Sequence, residues 1–168
     1  SYALPAYRVP QCSRTAKGTP VVQLLPIPRE EAITSLLAVS EFNDDTDLLM
    51  LTQGGFIKRT RLSAFSNIRS NGLIAIGLED GDALTWVRLS VPGDSVLIGS
   101  KAGMTIHFRL SDDELRPLGR TARGVRSMNL RAGDELVSMD VLPVELADQI
   151  AASSDDDDDE GTQASEGP

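Results

Sequence analysis

Short aliphatic runs, each broken within about seven residues by Gly, Pro, Asp or Asn, set the pattern of this chain. Residues 35–39, 47–52, 73–78, 84–89, 95–98 and 136–142 are of this kind. Runs of that length, rich in aliphatics and bounded by turn formers, predict β-strands. Pro5, Pro10, Pro20, Pro26, Pro28, Pro92, Pro117 and Pro143 punctuate the body at intervals too close for long helices. Single helical turns are expected only around 62–65 and 111–115, where Ser or Asp can cap them. After Ile150 almost nothing apolar remains, so 145–168 is expected to be an acidic disordered segment.

The runs recur. A first unit contains Arg14-Thr15-Ala16-Lys17-Gly18, Ile68-Arg69-Ser70-Asn71-Gly72 and Arg120-Thr121-Ala122-Arg123-Gly124, with the glycines 54 and then 52 residues apart. Leucine follows each glycine six residues later (Leu24, Leu78, Leu130), and an acid-x-aliphatic step comes next: Glu31-Ala32-Ile33, Asp82-Ala83-Leu84, Asp134-Glu135-Leu136. A second unit aligns 49–63 with 97–111 at a shift of 48, and its centre reads as a two-strand hairpin. The units alternate along the chain. A period near 50 with four short strands per period predicts an all-β, propeller-like array of four-stranded antiparallel blades, a partial array of about three blades over 1–144.

Charge changes this picture only at one end. The 168 residues carry 16 Lys+Arg and 25 Asp+Glu, but nine of those carboxylates lie from Glu145 onward, where no cation occurs. The body is therefore neutral, and the net charge of −9 belongs to the end segment. One cysteine, Cys12, cannot make an internal disulfide, and one histidine, His107, without cysteine or histidine neighbours cannot build a structural zinc site. A reducing, intracellular setting is expected. No apolar run approaches the ~18 residues of a membrane span, and the first residues lack the pattern of a signal peptide. The start without Met suggests a piece of something longer.

Catalytic chemistry finds little support. Glu79-Asp80-Gly81-Asp82 and Asp112-Asp113-Glu114 offer carboxylates for acid–base work or Mg²⁺, yet each sits at a turn signal. No phosphate loop and no GxGxxG opening a helix occurs. No cofactor or metal is expected. The cations are more informative because they recur with the repeat. Arg14 and Lys17, then Arg69, then Arg120, Arg123 and Arg126 flank the same glycine, while Lys58, Arg59, Arg61 and Arg109 mark the second hairpin strand. Thirteen of the sixteen cations are Arg, which suits bidentate contact with phosphate. Clusters of this kind spaced around a curved rim would neutralise successive phosphates of a duplex and favour wrapping without sequence readout. Seven aromatics are too few for a base-stacking platform. A propeller-like scaffold for protein partners is the competing reading, and a hydrolase using Glu79, Asp80 or Asp82 a third.

The stretches 14–26, Gly54-Gly55-Phe56-Ile57-Lys58-Arg59-Thr60 and Gly119-Arg120-Thr121-Ala122-Arg123-Gly124-Val125-Arg126 strongly resemble the C-terminal domain of bacterial DNA gyrase A, over roughly 1–143. The resemblance implies a β-pinwheel with strands exchanged between neighbouring blades and double-stranded DNA wrapped on the basic rim. Arg14, Lys17, Lys58, Arg59, Arg61, Arg69, Arg120, Arg123 and Arg126 become its expected phosphate contacts. It further implies a non-catalytic part of an ATP-dependent type II topoisomerase that introduces negative supercoils. Its partners would be the rest of gyrase A together with gyrase B, in the bacterial cytoplasm with the nucleoid. The glycine-rich basic box of gyrase is not found here, so the related protein of topoisomerase IV remains an alternative. Residues 1–10 look like the trailing end of a preceding blade. The acidic tract would be a tail or an inter-blade insertion, with carboxylates able to compete with phosphate for the rim.

Overall fold

The computed structural model describes residues 1–28 and 31–155. The described residues form seven strands: β1 (Asp47–Thr52), β2 (Phe56–Arg61), β3 (Leu84–Ser90), β4 (Ser95–Ser100), β5 (Thr105–Arg109), β6 (Val125–Arg126) and β7 (Leu136–Leu142). They form two antiparallel sheets in the orders β3-β1-β2-β6 and β5-β4-β7. The hairpin β1–β2 pairs Asp47 with Arg61 through Leu51 with Ile57, and β4–β5 pairs Ser95 with Arg109 through Gly99 with Thr105. The shift of 48 thus holds residue by residue. β3 joins β1 and β7 joins β4 with a register slip at the same repeat position, Leu51/Thr52 and Gly99/Ser100. β6 crosses over from the third copy of the first unit to complete the first sheet.

The first sheet is covered on both sides, which explains the unbroken Leu48-Leu49-Met50-Leu51 run. Leu49, Leu51 and Ile57 pack with Val96, Ile98, Leu136 and Met139 of the second sheet. Leu48, Met50 and Val87 face the other way, onto Phe65 and Ile76. Phe65 belongs to the short 3₁₀ turn Leu62–Phe65, as expected. At 111–115 a single turn closes, the Leu115 N–H donating to the Ser111 carbonyl at 2.9 Å and the Ser111 hydroxyl accepting from the Glu114 N–H.

Three expectations need correction. Residues 35–39 form no strand. In the repeat register they correspond to β3 and β7, which begin 37 (Asp47 to Leu84) and 41 (Ser95 to Leu136) positions after the strands they pair with. Ile33 has fewer residues than that before it, so its ladder partner has no counterpart among 1–32, and Leu36 is left 92% exposed. Residues 73–78 also form no strand. Instead Leu73 exchanges both main-chain hydrogen bonds with Ser1, at 2.9 and 2.7 Å, and the Gly77 N–H donates to the Ala122 carbonyl. That exchange places Ser1 where the repeat puts Ile57 opposite Val125.

The third correction concerns the acidic end, which is not irregular throughout. A helix, α1, spans Val144–Asp155. It starts immediately after Pro143, whose carbonyl accepts the N–H groups of Leu146 and Ala147, and has Glu145 in its first turn, where a carboxylate suits the helix dipole. Glu, Leu, Ala and Gln are strong helix formers, and they outweigh the low hydrophobicity here. The remainder of that segment, 156–168, lies outside the described residues.

Candidate nucleic-acid interface

Two of the three basic loops are built alike. In the first, the Ala16 N–H donates to the Ser13 carbonyl at 3.0 Å; in the third, the Ala122 N–H donates to the Gly119 carbonyl at 3.1 Å. Arg14 and Arg120 therefore occupy the same position of the same turn. Lys17 and Arg123 follow, then Gly18 and Gly124, both left-handed with φ of 72° and 104°. The middle copy turns two residues later, with the Gly72 N–H on the Arg69 carbonyl at 2.9 Å and Gly72 at φ 85°. At Gly124 the conformation and the space both demand glycine, because a Cβ there would run into the Ile57 carbonyl of β2. The close approach seats the third basic loop directly on the first sheet.

Arg14, Lys17, Arg69, Arg123 and Arg126 are exposed. Arg14, Lys17, Arg69 and Arg126 have no ion-pair partner among the described residues, whereas Arg123 is paired with Glu79. The Arg123 and Arg126 guanidiniums lie 4.2 and 5.0 Å from the centre of the Phe56 ring, a cation–π arrangement that groups the two charges. Arg120 is half-buried and ties its loop to the 3₁₀ turn through the Ala64 carbonyl, at 2.8 Å.

Lys58, Arg59 and Arg61 do not join this set as expected. Lys58 is 0% and Arg59 1% exposed, because β2 runs inside a sheet packed on both faces. The Lys58 ammonium donates to the carbonyls of Ala75 (2.5 Å), Arg120 (2.6 Å) and Gly119 (3.3 Å), fastening the middle and third loops to β2. Burial pulls its pKa down to about 8. Arg59 Nε meets the fully buried Asp47 at 2.5 Å, and its Nη1 reaches Asp112 and the Leu115 carbonyl. Arg61, half-exposed, adds a second contact to Asp47 at 3.3 Å and one to the Asp44 carbonyl. These three cations serve the fold. A signal for this lay in the repeat itself, since the position equivalent to Lys58 is the apolar Ile106.

The acidic turns likewise hold structure. Asp82 Oδ1 accepts the N–H groups of Gly54 and Ala83, both at 2.8 Å, and Asp134 Oδ1 accepts those of Ala102 and Glu135, both at 2.9 Å. These are the same bonds one repeat apart, each clamping a hairpin loop to the next strand. Asp134 sits below the ordinary carboxylate range, first because of the nearby Ser100 hydroxyl and then because of these amides. Among the described residues no three His, Cys, Asp or Glu side chains gather where they could hold a metal ion. His107 and Cys12 are exposed and far apart in the sequence.

Sequence reasoning missed Phe56 and Glu79 as neighbours of the basic loops, and Arg116 and Arg131 as further exposed cations. Arg131 follows the third loop at the repeat position that Glu79 holds in the second. It lines an open cleft of about 460 Å³ with Arg126, Ser127, Asn129 and Thr105.

The family described as DNA gyrase C-terminal domain, beta-propeller, matches residues 4–40, 46–90 and 94–143. The chain belongs to this family. The DNA gyrase A protein of Synechocystis is 61% identical over 153 residues, which cover 91% of the chain and 18% of that protein. The chain thus spans under a fifth of the length of such relatives. Among solved structures, the C-terminal domain of DNA topoisomerase IV superposes with a TM-score of 0.73 at 26% identity, covering 83% of this chain and 43% of that one. The DNA gyrase A C-terminal domain gives 0.63 at 28%, covering 74% and 40%. The propeller-like array expected from the repeats, and the pinwheel that the resemblance implies, is the fold of this chain, with a four-stranded sheet β3-β1-β2-β6 and a three-stranded sheet β5-β4-β7 among the described residues. No described helix is long and apolar enough to cross a membrane.

Proposed function

We propose that this chain binds double-stranded DNA through its sugar–phosphate backbone, without reading sequence, and bends it along the loops carrying Arg14, Lys17, Arg69, Arg123 and Arg126. The observation that carries the reading is the identical turn at 13–16 and 119–122, which presents exposed cations at the fold's own period. A duplex is also a periodic polyanion, so successive loops can each neutralise phosphates, and each new contact offsets part of the bending cost. Arg120, held by the Ala64 carbonyl, supports its loop and has guanidinium nitrogens left for phosphate. The gyrase A relatives favour gyrase over topoisomerase IV as the parent enzyme. In that setting the chain is a non-catalytic wrapping element acting with the rest of gyrase A and with gyrase B, in the bacterial cytoplasm.

Gel shifts on linear duplex across a salt series test this. Each lost phosphate contact is expected to lower the slope of log affinity against log salt by about 0.9. Arg14→Gln with Lys17→Gln, in a loop clear of the core, should lower it by about two contacts, and Arg126→Gln by about one. Unchanged affinity and slope in both variants would overturn the reading.

A further inference from the structure

We propose that Glu79 is a built-in competitor for phosphate, a carboxylate clamped on Arg123 that holds down the affinity of the β3-β1-β2-β6 blade for DNA. The inference rests on the duplex-binding reading and adds a residue that tunes it. Glu79 Oε1 pairs with Arg123 Nη1, while the same guanidinium stacks on Phe56 beside Arg126. The pair is open to solvent, with side chains 56% and 44% exposed, so it can exchange. A phosphate approaching Arg123 must displace the carboxylate and then bear its repulsion, together with that of Asp80 in the same turn.

The turn itself does not need this acid. Its clamp is Asp82, and the matching turn of the next repeat makes the same bonds around Asp134 with Arg131 where Glu79 stands. One repeat therefore offers a cation at the place where its neighbour covers one. Glu79 is thus a positioning residue acting through Arg123, and blades of one fold differ in grip through a single side chain.

Duplex gel shifts with the 168-residue chain, its Glu79→Gln variant and its Glu79→Arg variant test the proposal. Glu79→Gln is expected to bind about two- to fivefold more tightly at low salt, the range of an exposed ion pair, and Glu79→Arg more tightly still. The gain should fade as salt is raised, because screening removes the repulsion of an exposed charge, whereas a change in folding would not follow salt in this way. It should also vanish in an Arg123→Gln background. A parent chain that shifts duplex while Glu79→Gln binds equally or more weakly, or a gain that persists without Arg123, overturns the proposal and leaves the duplex reading standing. Failure of every form to shift duplex at low salt overturns both.

Discussion

Lys58 shows how a single buried cation can hold the loops that carry exposed ones. Its three carbonyl acceptors belong to the two loops that carry Arg69 and Arg120, so its loss leaves buried acceptors without a donor. Lys58→Met is expected to cost about 2–4 kcal/mol in urea unfolding, from desolvated carbonyls left unpaired. The pH dependence follows from the lowered pKa of about 8. Between that value and the unfolded lysine value, near 10.4, the unfolded chain binds the proton and the folded chain does not, so stability rises with pH. The parent chain should gain stability relative to Lys58→Met between about pH 8 and 10, and below about pH 8 the difference should be flat. The residue type was visible in the sequence. Its burial was not, because a lysine in a strand looks the same whether the sheet has one covered face or two.

Among the elements, β2 and its hairpin were the most legible, since an aliphatic run, a Gly-containing turn and a second run determine both pairing and register. The strand expected at 35–39 had the right composition and failed for want of a neighbour, which is a property of the sheet and not of the segment. The ion pair joining β1 and β2 gives a sharper test at this scale. Arg59→Met leaves Asp47 buried with only the longer Arg61 contact and should destabilise by about 3–5 kcal/mol. Arg59→Met combined with Asp47→Asn should recover part of that loss. If the double variant is no more stable than Arg59→Met alone, the pairing is not what holds the strand ends.

For the whole molecule, the acidic segment meets a cation of the sheets at one point among the described residues. Asp148 of α1 contacts Arg109 of β5 at 2.5 Å, and the helix entry is tied to Asp94 through the Val144 N–H. Both side chains of the pair are about half exposed, so the contact is exchangeable in the same way as that between Glu79 and Arg123. Deleting 145–168 removes nine carboxylates and is expected to raise duplex affinity at low salt, with the gain lost as salt is raised. Unchanged affinity would show those charges to be bystanders. A series of duplex lengths measures the bend: affinity should keep growing beyond the length that one blade can touch, and early saturation would mean binding without wrapping.

The period, the blade hairpins and the recurrence of Arg beside glycine were determined by the sequence alone, because hydrogen-bond register and turn conformation are local properties of a few residues. Which cations stand free was decided only by the tertiary structure. Whether Lys58 and Arg59 face a phosphate or a carbonyl depends on what covers the second face of their sheet, and that cover comes from loops at 75 and 112–120, remote in the chain. Long-range packing sorts chemically identical side chains into fold-holding and solvent-facing sets, since desolvation penalises any buried charge that lacks a partner.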